Sequence, residues 1–198
     1  SEMFGRNYSS EKDGRKYQNE KTEMLPQSPY GVAKLASHNM VEIYRSAYSL
    51  FGCCGILFNH ESSRRGENFV TRKITKYIGK LVRGETKEPL KLGNLDAHRD
   101  WGHAKDYVRA MWMMLQREQP EDFVIATGET HSVKEFLDLA FKSVQLNSDD
   151  HVEIDPNLFR PAEVDYLCGD PTLAKEKLGW EPEMSFTDLI DDMVKSDV

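Results

Sequence analysis

Tyr30 and Lys34 stand four residues apart in the stretch QSPYGVAKLASHNMVEIYRSAYSL, residues 27–50. Side chains at i and i+4 share one helix face, with Cβ atoms about 5–6 Å apart. An ordinary phenol, with a pKa of about 10, is a poor base at neutral pH. Moving a phenol to near 7 takes about 4 kcal/mol, at about 1.36 per unit. One cation about 4 Å away, at an effective dielectric of about 20, supplies that much. A tyrosine–lysine pair at this spacing can therefore act as a proton acceptor. The same Y-x-x-x-K spacing also arises by chance in many helices, where the two side chains merely share a turn.

The surrounding pattern says what would hold the pair. From Pro29, the apolar residues Val32, Leu35, Ala36, Met40, Ile43 and Ala47 recur at spacings of three and four, which predicts a helix. Residues 6–28 are polar and lack apolar periodicity, so they read as a long surface loop, a kind of segment that often serves as a lid or contact. The short apolar run 53–59, CCGILFN, reads as a buried strand, followed by a loop at HESSRRG. An amphipathic helix follows and ends near Gly84. PLKLGN (89–94) reads as a strand, residues 102–118 as a helix and DFVIATG (122–128) as a second buried strand.

Ser132 and Glu135 form a capping box for the next helix. Asp170 and Pro171 suit the first positions of another, closed by Gly179. Ser185 and Asp188 open the last. Alternating strands and helices indicate an α/β fold, but two clear buried strands are too few for an autonomous doubly wound sheet.

Bulk composition narrows the classes. The 198 residues are 39% hydrophobic and 30% charged, as in an ordinary globular chain of one domain or two small lobes. A net charge of −7 argues against a nucleic-acid partner and leaves room for small anionic ligands bound by a few arginines. No apolar run is long enough to span a membrane, and the N-terminus has no signal pattern. Cys53, Cys54 and Cys168 form no C-x-x-C spacing, so a reducing cytoplasm is expected, with Cys53 and Cys54 as buried small hydrophobes. Trp101, Trp112, Met111, Met113, Met114 and Leu115 read as core, and the acidic DDM near the end as a solvated helix face. His103 and His131 have no metal-ligand spacing to other donors, so no metal centre is expected.

Company sharpens the Tyr30–Lys34 reading. SEMFG, SPYGVAKL, GILFNHES, RRG, NFVTRKI, LGNLDAHRDWGHAKDYV, EDFVIATGE, RPAEV and GDPTLAKEKLGW follow one another along the chain. The series resembles the GDP-mannose 4,6-dehydratase family of extended short-chain dehydrogenases/reductases, over nearly the whole chain. FNHES and GNLDAHRDWGHAKDYV are the distinctive blocks, whereas Y-x-x-x-K marks only the superfamily.

The resemblance implies a lyase that takes GDP-mannose to GDP-4-keto-6-deoxymannose, in the route to GDP-fucose, with NADP as cofactor. In it, Tyr30 takes the proton of the mannose 4-hydroxyl and Lys34 holds the nicotinamide ribose and favours the phenolate. Glu2 is the general acid/base that removes the C5 proton and protonates the departing 6-hydroxyl. His60, Arg64 and Arg65 correspond to cofactor contacts, Arg64 in a loop that also meets a neighbouring subunit. Ser1, Asn59, Lys73, Arg99, Arg160 and Glu163 correspond to contacts with the GDP-sugar. Lysine and arginine suit a pyrophosphate, and a glutamate can accept hydrogen bonds from a sugar or base. Plainer roles stand beside these: Arg160 and Glu163 could pair at the surface, Arg64 and Arg65 could be solvated, and His60 could cap or pack.

The family's glycine-rich dinucleotide loop has no counterpart after Ser1. The expected chain is thus the C-terminal portion of an extended short-chain dehydrogenase, an incomplete Rossmann sheet plus a smaller α/β substrate lobe. Residues 1–60 would be the Rossmann remnant and 61–198 mainly the substrate lobe, with 103–128 returning to the sheet. Such a chain should neither bind NADP usefully nor turn over GDP-mannose alone. Apolar surface should lie open around CCGILF and the Val32/Leu35/Met40 face, favouring homo-oligomers or a polypeptide that supplies the missing half. Two other readings remain: a non-catalytic or split-enzyme GDP-sugar-binding module, and a related sugar-nucleotide epimerase or reductase.

Overall fold

The computed structural model describes residues 1–159 and 164–198. A 3-10 turn, Glu2–Phe4, buries Met3 and Phe4. The expected loop 6–28 instead contains a hairpin, β1 (Ser10–Lys12) and β2 (Arg15–Tyr17), paired antiparallel. Its turn is Asp13–Gly14, both at positive φ (53° and 75°), the backbone that an Asp-Gly pair favours in two-residue hairpins. The segment beyond it is tied down. Gln18 is buried, its N–H donates to the Cys168 carbonyl, and its own carbonyl accepts from Asp170 N, both at 2.9 Å.

Helix α1 (Pro29–Tyr48) starts where expected. Ser28 is its N-cap, with Oγ accepting from Gly31 N at 3.0 Å, and Pro29 fills the first turn, where its missing N–H costs nothing. Strand β3 (Gly55–Leu57) leads directly into β4 (Asn59–Glu61). Then come α2 (Val70–Val82), β5 (Leu90–Leu92), β6 (His98–Arg99), β7 (Trp101–His103), α3 (Ala104–Met114) and β8 (Phe123–Ile125). The remainder is β9 (His131–Ser132), α4 (Val133–Ser143), β10 (Val152–Ile154), α5 (Thr172–Leu178) and α6 (Phe186–Asp197). The capping boxes at Ser132/Glu135 and Ser185/Asp188 are both present.

Among the described residues the strands form only pairs: β3 with β8, β4 with β7 and β5 with β10 are parallel, β6 with β9 antiparallel. Around β3 and β8 pack Phe4, Ile56, Phe58, Val124 and Leu167 on one side, and Tyr107, Ala110, Ala174 and Trp180 on the other. A separate core joins α2, α4 and α6 through Ile74, Ile78, Phe136, Phe141, Ile190 and Met193. There α2 and α6 approach so closely that a Cβ on Gly79 would fall 2.1 Å from the Asp197 carbonyl oxygen.

Several expectations need correction. Trp101 and Met114 are core, but Met111, Trp112 and Leu115 project to solvent from the outer face of α3 and its end, and Met113 is half-buried. Cys53 and Cys54 are half-buried, because they precede β3 at the rim of the strand pair; only Cys168 is fully buried. The apolar face of α1 is open as expected at Val32 and Met40, with Leu35 half-covered. In CCGILF, however, Ile56 and Phe58 are buried by the residues around β8. Pro171, rather than Asp170, takes the N-cap position of α5, and Asp170 accepts from Thr172 N at 3.0 Å one residue earlier.

Candidate active site

The Ser28 cap has a second function beyond starting α1. Its hydroxyl donates to Glu2 Oε2 at 2.9 Å, so the Glu2 carboxylate is fastened to the N-terminal end of the helix carrying Tyr30 and Lys34. Contact is close here: a Cβ on Gly31 would lie 2.9 Å from the Glu2 carbonyl oxygen, so the turn and the helix can meet only at a glycine. The Lys34 ammonium lies 5.6 Å from the centre of the Tyr30 ring. Tyr30 is 60% exposed, with its phenol available to a ligand. The Ser1 nitrogen donates to the Leu57 carbonyl at 3.0 Å, which sets Ser1 and Glu2 at the C-terminal end of β3.

Asn59 and His60 follow immediately in β4, so the five residues Ser1, Glu2, Tyr30, Lys34 and Asn59 gather around one strand end. His60 Nδ1 lies 2.8 Å from the Phe58 carbonyl; since a carbonyl only accepts, Nδ1 is the donor. The imidazole stacks on Tyr107, 5.0 Å between centroids.

The loop after His60 is held by a residue that sequence reasoning missed. Glu61 is buried, accepts from the Thr71 hydroxyl at 2.6 Å and has Arg65 Nε at 3.2 Å. Burial pushes its carboxyl above the usual range, offset in part by Thr71 and Arg65. This clamp turns Arg65 inward, with its guanidinium 3.5 Å from the Phe69 ring centre, while Arg64 is exposed. Ser28 was also missed, although a serine before Pro-Tyr at a helix start is a legible cap signal. Glu61 left no such signal, since its partners are set by folding.

The remaining candidates are more dispersed. Lys73 lies on α2 and donates to the Lys91 carbonyl at 2.9 Å, away from the Glu2–Tyr30 cluster. Arg99 lies in β6, with Nη1 donating to the His98 carbonyl at 2.8 Å. Arg160 and Glu163 lie outside the described residues. Next to Arg99, the buried Asp100 carboxylate accepts from Thr127 N, Thr127 Oγ1, Gly128 N and Gly169 N at 2.8–3.1 Å. It therefore ties β7 to the turn after β8 and to the segment before α5.

Parallel strands flanked by helices, with a serine-capped Tyr–Lys helix at the strand ends, define an extended short-chain dehydrogenase/reductase fold, of which the chain covers part. It superposes with a TM-score of 0.84 on the RMD of Pseudomonas aeruginosa complexed with NADPH, at 19% identity, covering 97% of this chain and 63% of that one. For DesIV, a dTDP-glucose 4,6-dehydratase from Streptomyces venezuelae with NAD and TYD bound, the TM-score is 0.83 at 20% identity, covering 98% and 56%.

Sequence similarity is narrower and stronger. The family model described as GDP-mannose 4,6 dehydratase matches residues 1–193, and the chain belongs to that family. It is 55% identical to GDP-mannose 4,6 dehydratase 1 of Arabidopsis thaliana, over 100% of this chain and 53% of that protein. With the human GDP-mannose 4,6 dehydratase it shares 51% identity, over 91% and 53%. The chain thus spans about half the length of these curated relatives. Among the described residues no helix is long and apolar enough to cross a membrane.

Proposed function

We propose that the chain carries the acid–base and sugar-nucleotide part of a GDP-mannose 4,6-dehydratase that uses NADP in a reducing cytoplasm. One observation carries this reading: the Glu2 carboxylate is hydrogen-bonded to the cap of the very helix that presents Tyr30 and Lys34. A carboxylate and a phenol beside a cation are the two proton-handling groups that a 4,6-dehydration requires.

The residues fit one end of a nicotinamide dinucleotide. Lys34 offers its ammonium at the helix start, and His60 offers its second ring nitrogen near the same strand end, which suits a ribose. A pyrophosphate is held by a glycine-rich turn opening a helix. The described helices begin instead at Ser28, Phe69, His103, Ser132, Pro171 and Ser185, so that end finds no cradle here.

When bound, the cofactor would supply the redox chemistry, taking a hydride from sugar C4 and returning it to C6 once water has left. Tyr30 accepts the proton of the 4-hydroxyl, and Lys34 orients the ribose. A ketone at C4 makes the C5 proton acidic, and Glu2 removes it. The same carboxyl then returns the proton to the 6-hydroxyl, which leaves as water. Ser28 aims Glu2 throughout. Ser1, Asn59, Lys73, Arg99, Arg160 and Glu163 bind the GDP-sugar, and Arg64 and Arg65 the cofactor side. Residues 1–60, with 103–128, form the cofactor-facing part and the rest of 61–198 the sugar-nucleotide lobe. The active assembly is an oligomer.

Calorimetric titration of the purified chain with GDP-mannose and, separately, NADPH tests the reading. The expected result is binding of GDP-mannose, weakened by Arg99→Ala, with no heat from NADPH and no turnover. Binding of neither ligand would remove the substrate-lobe reading, and turnover by the chain alone would remove the claim that the cofactor site is incomplete.

A further inference from the structure

Folding assembles three chemically different donors that sequence spacing keeps apart. His38 projects from α1, Cys54 immediately precedes β3, and Asp122 immediately precedes β8. One ligand atom from each lies within 4.8 Å of the other two. All three residues are half-buried, with His38 and Asp122 side chains 14% and 19% exposed. We propose that His38, Cys54 and Asp122 form a binding site for one divalent ion of the zinc class, with water completing a tetrahedral shell.

The coordination chemistry supports the assignment. A ring nitrogen, a thiolate and a carboxylate oxygen are the donor set of a borderline-soft ion, and three protein ligands plus water make an open zinc site. Asp122 is already aimed. Arg45 Nη2 donates to both carboxylate oxygens at 2.7 and 2.8 Å, and Cys54 N–H donates to Oδ1 at 2.7 Å. A carboxylate has about four lone-pair sites, so Oδ2 keeps one of its own. That oxygen lies 4.0 Å from His38 Nε2, too far for a hydrogen bond. Two donors of one tetrahedral ion sit about 3.5 Å apart, so small side-chain movements suffice. His38 Nδ1, also buried, has no hydrogen-bond partner.

The charge balance agrees. Without an ion, Arg45 neutralises Asp122. An ion would take Cys54 as the thiolate, displacing the thiol proton. Arg45 would remain behind Asp122 as the outer partner that orients a metal-binding carboxylate.

This site is separate from the Glu2–Tyr30 cluster. His38 is two further turns along α1 from Tyr30, about 12 Å at 1.5 Å per residue. Cys54 is at the opposite end of β3 from Asn59, about 16 Å along the strand. An ion here would pin the poorly buried helix α1 to the starts of both strands.

Cobalt(II) titration of the reduced full chain tests the site through absorbance, with no need for enzymatic activity. The expected result is a thiolate-to-cobalt charge-transfer band that saturates at one ion per chain, releases one proton and disappears when zinc is added. Cys53→Ser should leave it unchanged, Cys54→Ser should abolish it, and His38→Ala should weaken binding at least about tenfold. Because the Cys54 variant could misfold, zinc protection of the wild-type chain against alkylation is read in parallel by mass spectrometry, with slower labelling at Cys54 and an unchanged rate at Cys168. Absence of the band at millimolar cobalt, its persistence in Cys54→Ser, or unchanged labelling at Cys54 would each overturn the proposal.

Discussion

Helices α1 and α2 carry the same kind of apolar spacing and meet opposite fates. The 13 residues of α2 bury seven side chains or glycines, from Thr71 to Gly79, against α4 and α6. The 20 residues of α1 bury only Gly31. Val32, Met40, Ile43, Tyr44 and Tyr48 remain exposed, and Ala36, Met40, Val41, Tyr44, Leu50 and Phe51 line an apolar groove of about 490 Å³. Periodicity identifies the apolar face of a helix; it does not say whether a partner covers it. The α2 lobe is held by tertiary packing, whereas α1 depends on its cap, its length and a few polar ties.

The sharpest way to break this contrast is through the buried ion pair under α2. Arg72 donates to Asp197 Oδ2, and Thr75 Oγ1 donates to the same oxygen at 2.8 Å. Both charged side chains are nearly inaccessible, at 9% and 1% exposure. Asp197→Ala strands the Arg72 charge and should cost about 3–5 kcal/mol in urea unfolding, while Arg72→Met with Asp197→Leu should recover much of it. A single-variant loss under about 1 kcal/mol would mean that the α2 lobe does not depend on this pair.

A smaller effect comes from Asp100, which links β7 to the turn after β8. Burial outweighs its four hydrogen bonds and raises its carboxyl from 3.8 to about 6. The folded chain then holds this proton more tightly than the unfolded chain between those values. The resulting stability is full below about pH 4, falls as pH rises through about 6 and is flat above. At about 1.36 kcal/mol per unit, the change is at most about 3 kcal/mol. Asp100→Asn removes this titration but points an amide N–H₂ at backbone donors, so it should destabilise, and by more at pH 4 than at pH 7. An equal loss at both pH values would contradict the raised carboxyl.

The same two regions show what was legible in the sequence. Two helix starts were, because Ser132 and Ser185 stand three residues before the acids that complete their capping boxes. Tyr30, Lys34 and Glu2 were singled out, and their gathering at one strand end rests on the Ser28 hydroxyl. Glu61, Asp100 and the His38/Cys54/Asp122 group were not legible, because each acts through partners distant in sequence. Trp112 and the loop 6–28 were misread for opposite reasons. Composition places an aromatic in the core although its helix face points outward, and polarity reads a segment as loop although Asp13–Gly14 marks a hairpin turn and Gln18 anchors beneath it.

If α1 is held mainly by local determinants, removing its cap should be felt first within the helix. Ser28→Ala deletes the acceptor for Gly31 N and the donor to Glu2, and should cost about 1 kcal/mol. Amide hydrogen exchange should quicken across α1 while α2 and α4 keep their protection. Uniform acceleration in both regions would show instead that α1 unfolds only with the whole chain.

The smallest expected change in stability has the most diagnostic readout. Met40→Lys with Ile43→Lys alters an α1 face that is 57–58% exposed at both positions, so unfolding free energy should shift by no more than about 0.5 kcal/mol. Self-association should respond far more, because a contiguous apolar groove of this kind is covered when copies meet. Sedimentation is therefore expected to show concentration-dependent oligomers for the wild-type chain and monomers for the double variant. If stability falls by several kcal/mol, α1 is packed in solution after all and its contrast with α2 disappears. If both chains sediment as monomers, the open face is real but too small or too well solvated to hold two copies together, and α1 is exposed without being adhesive.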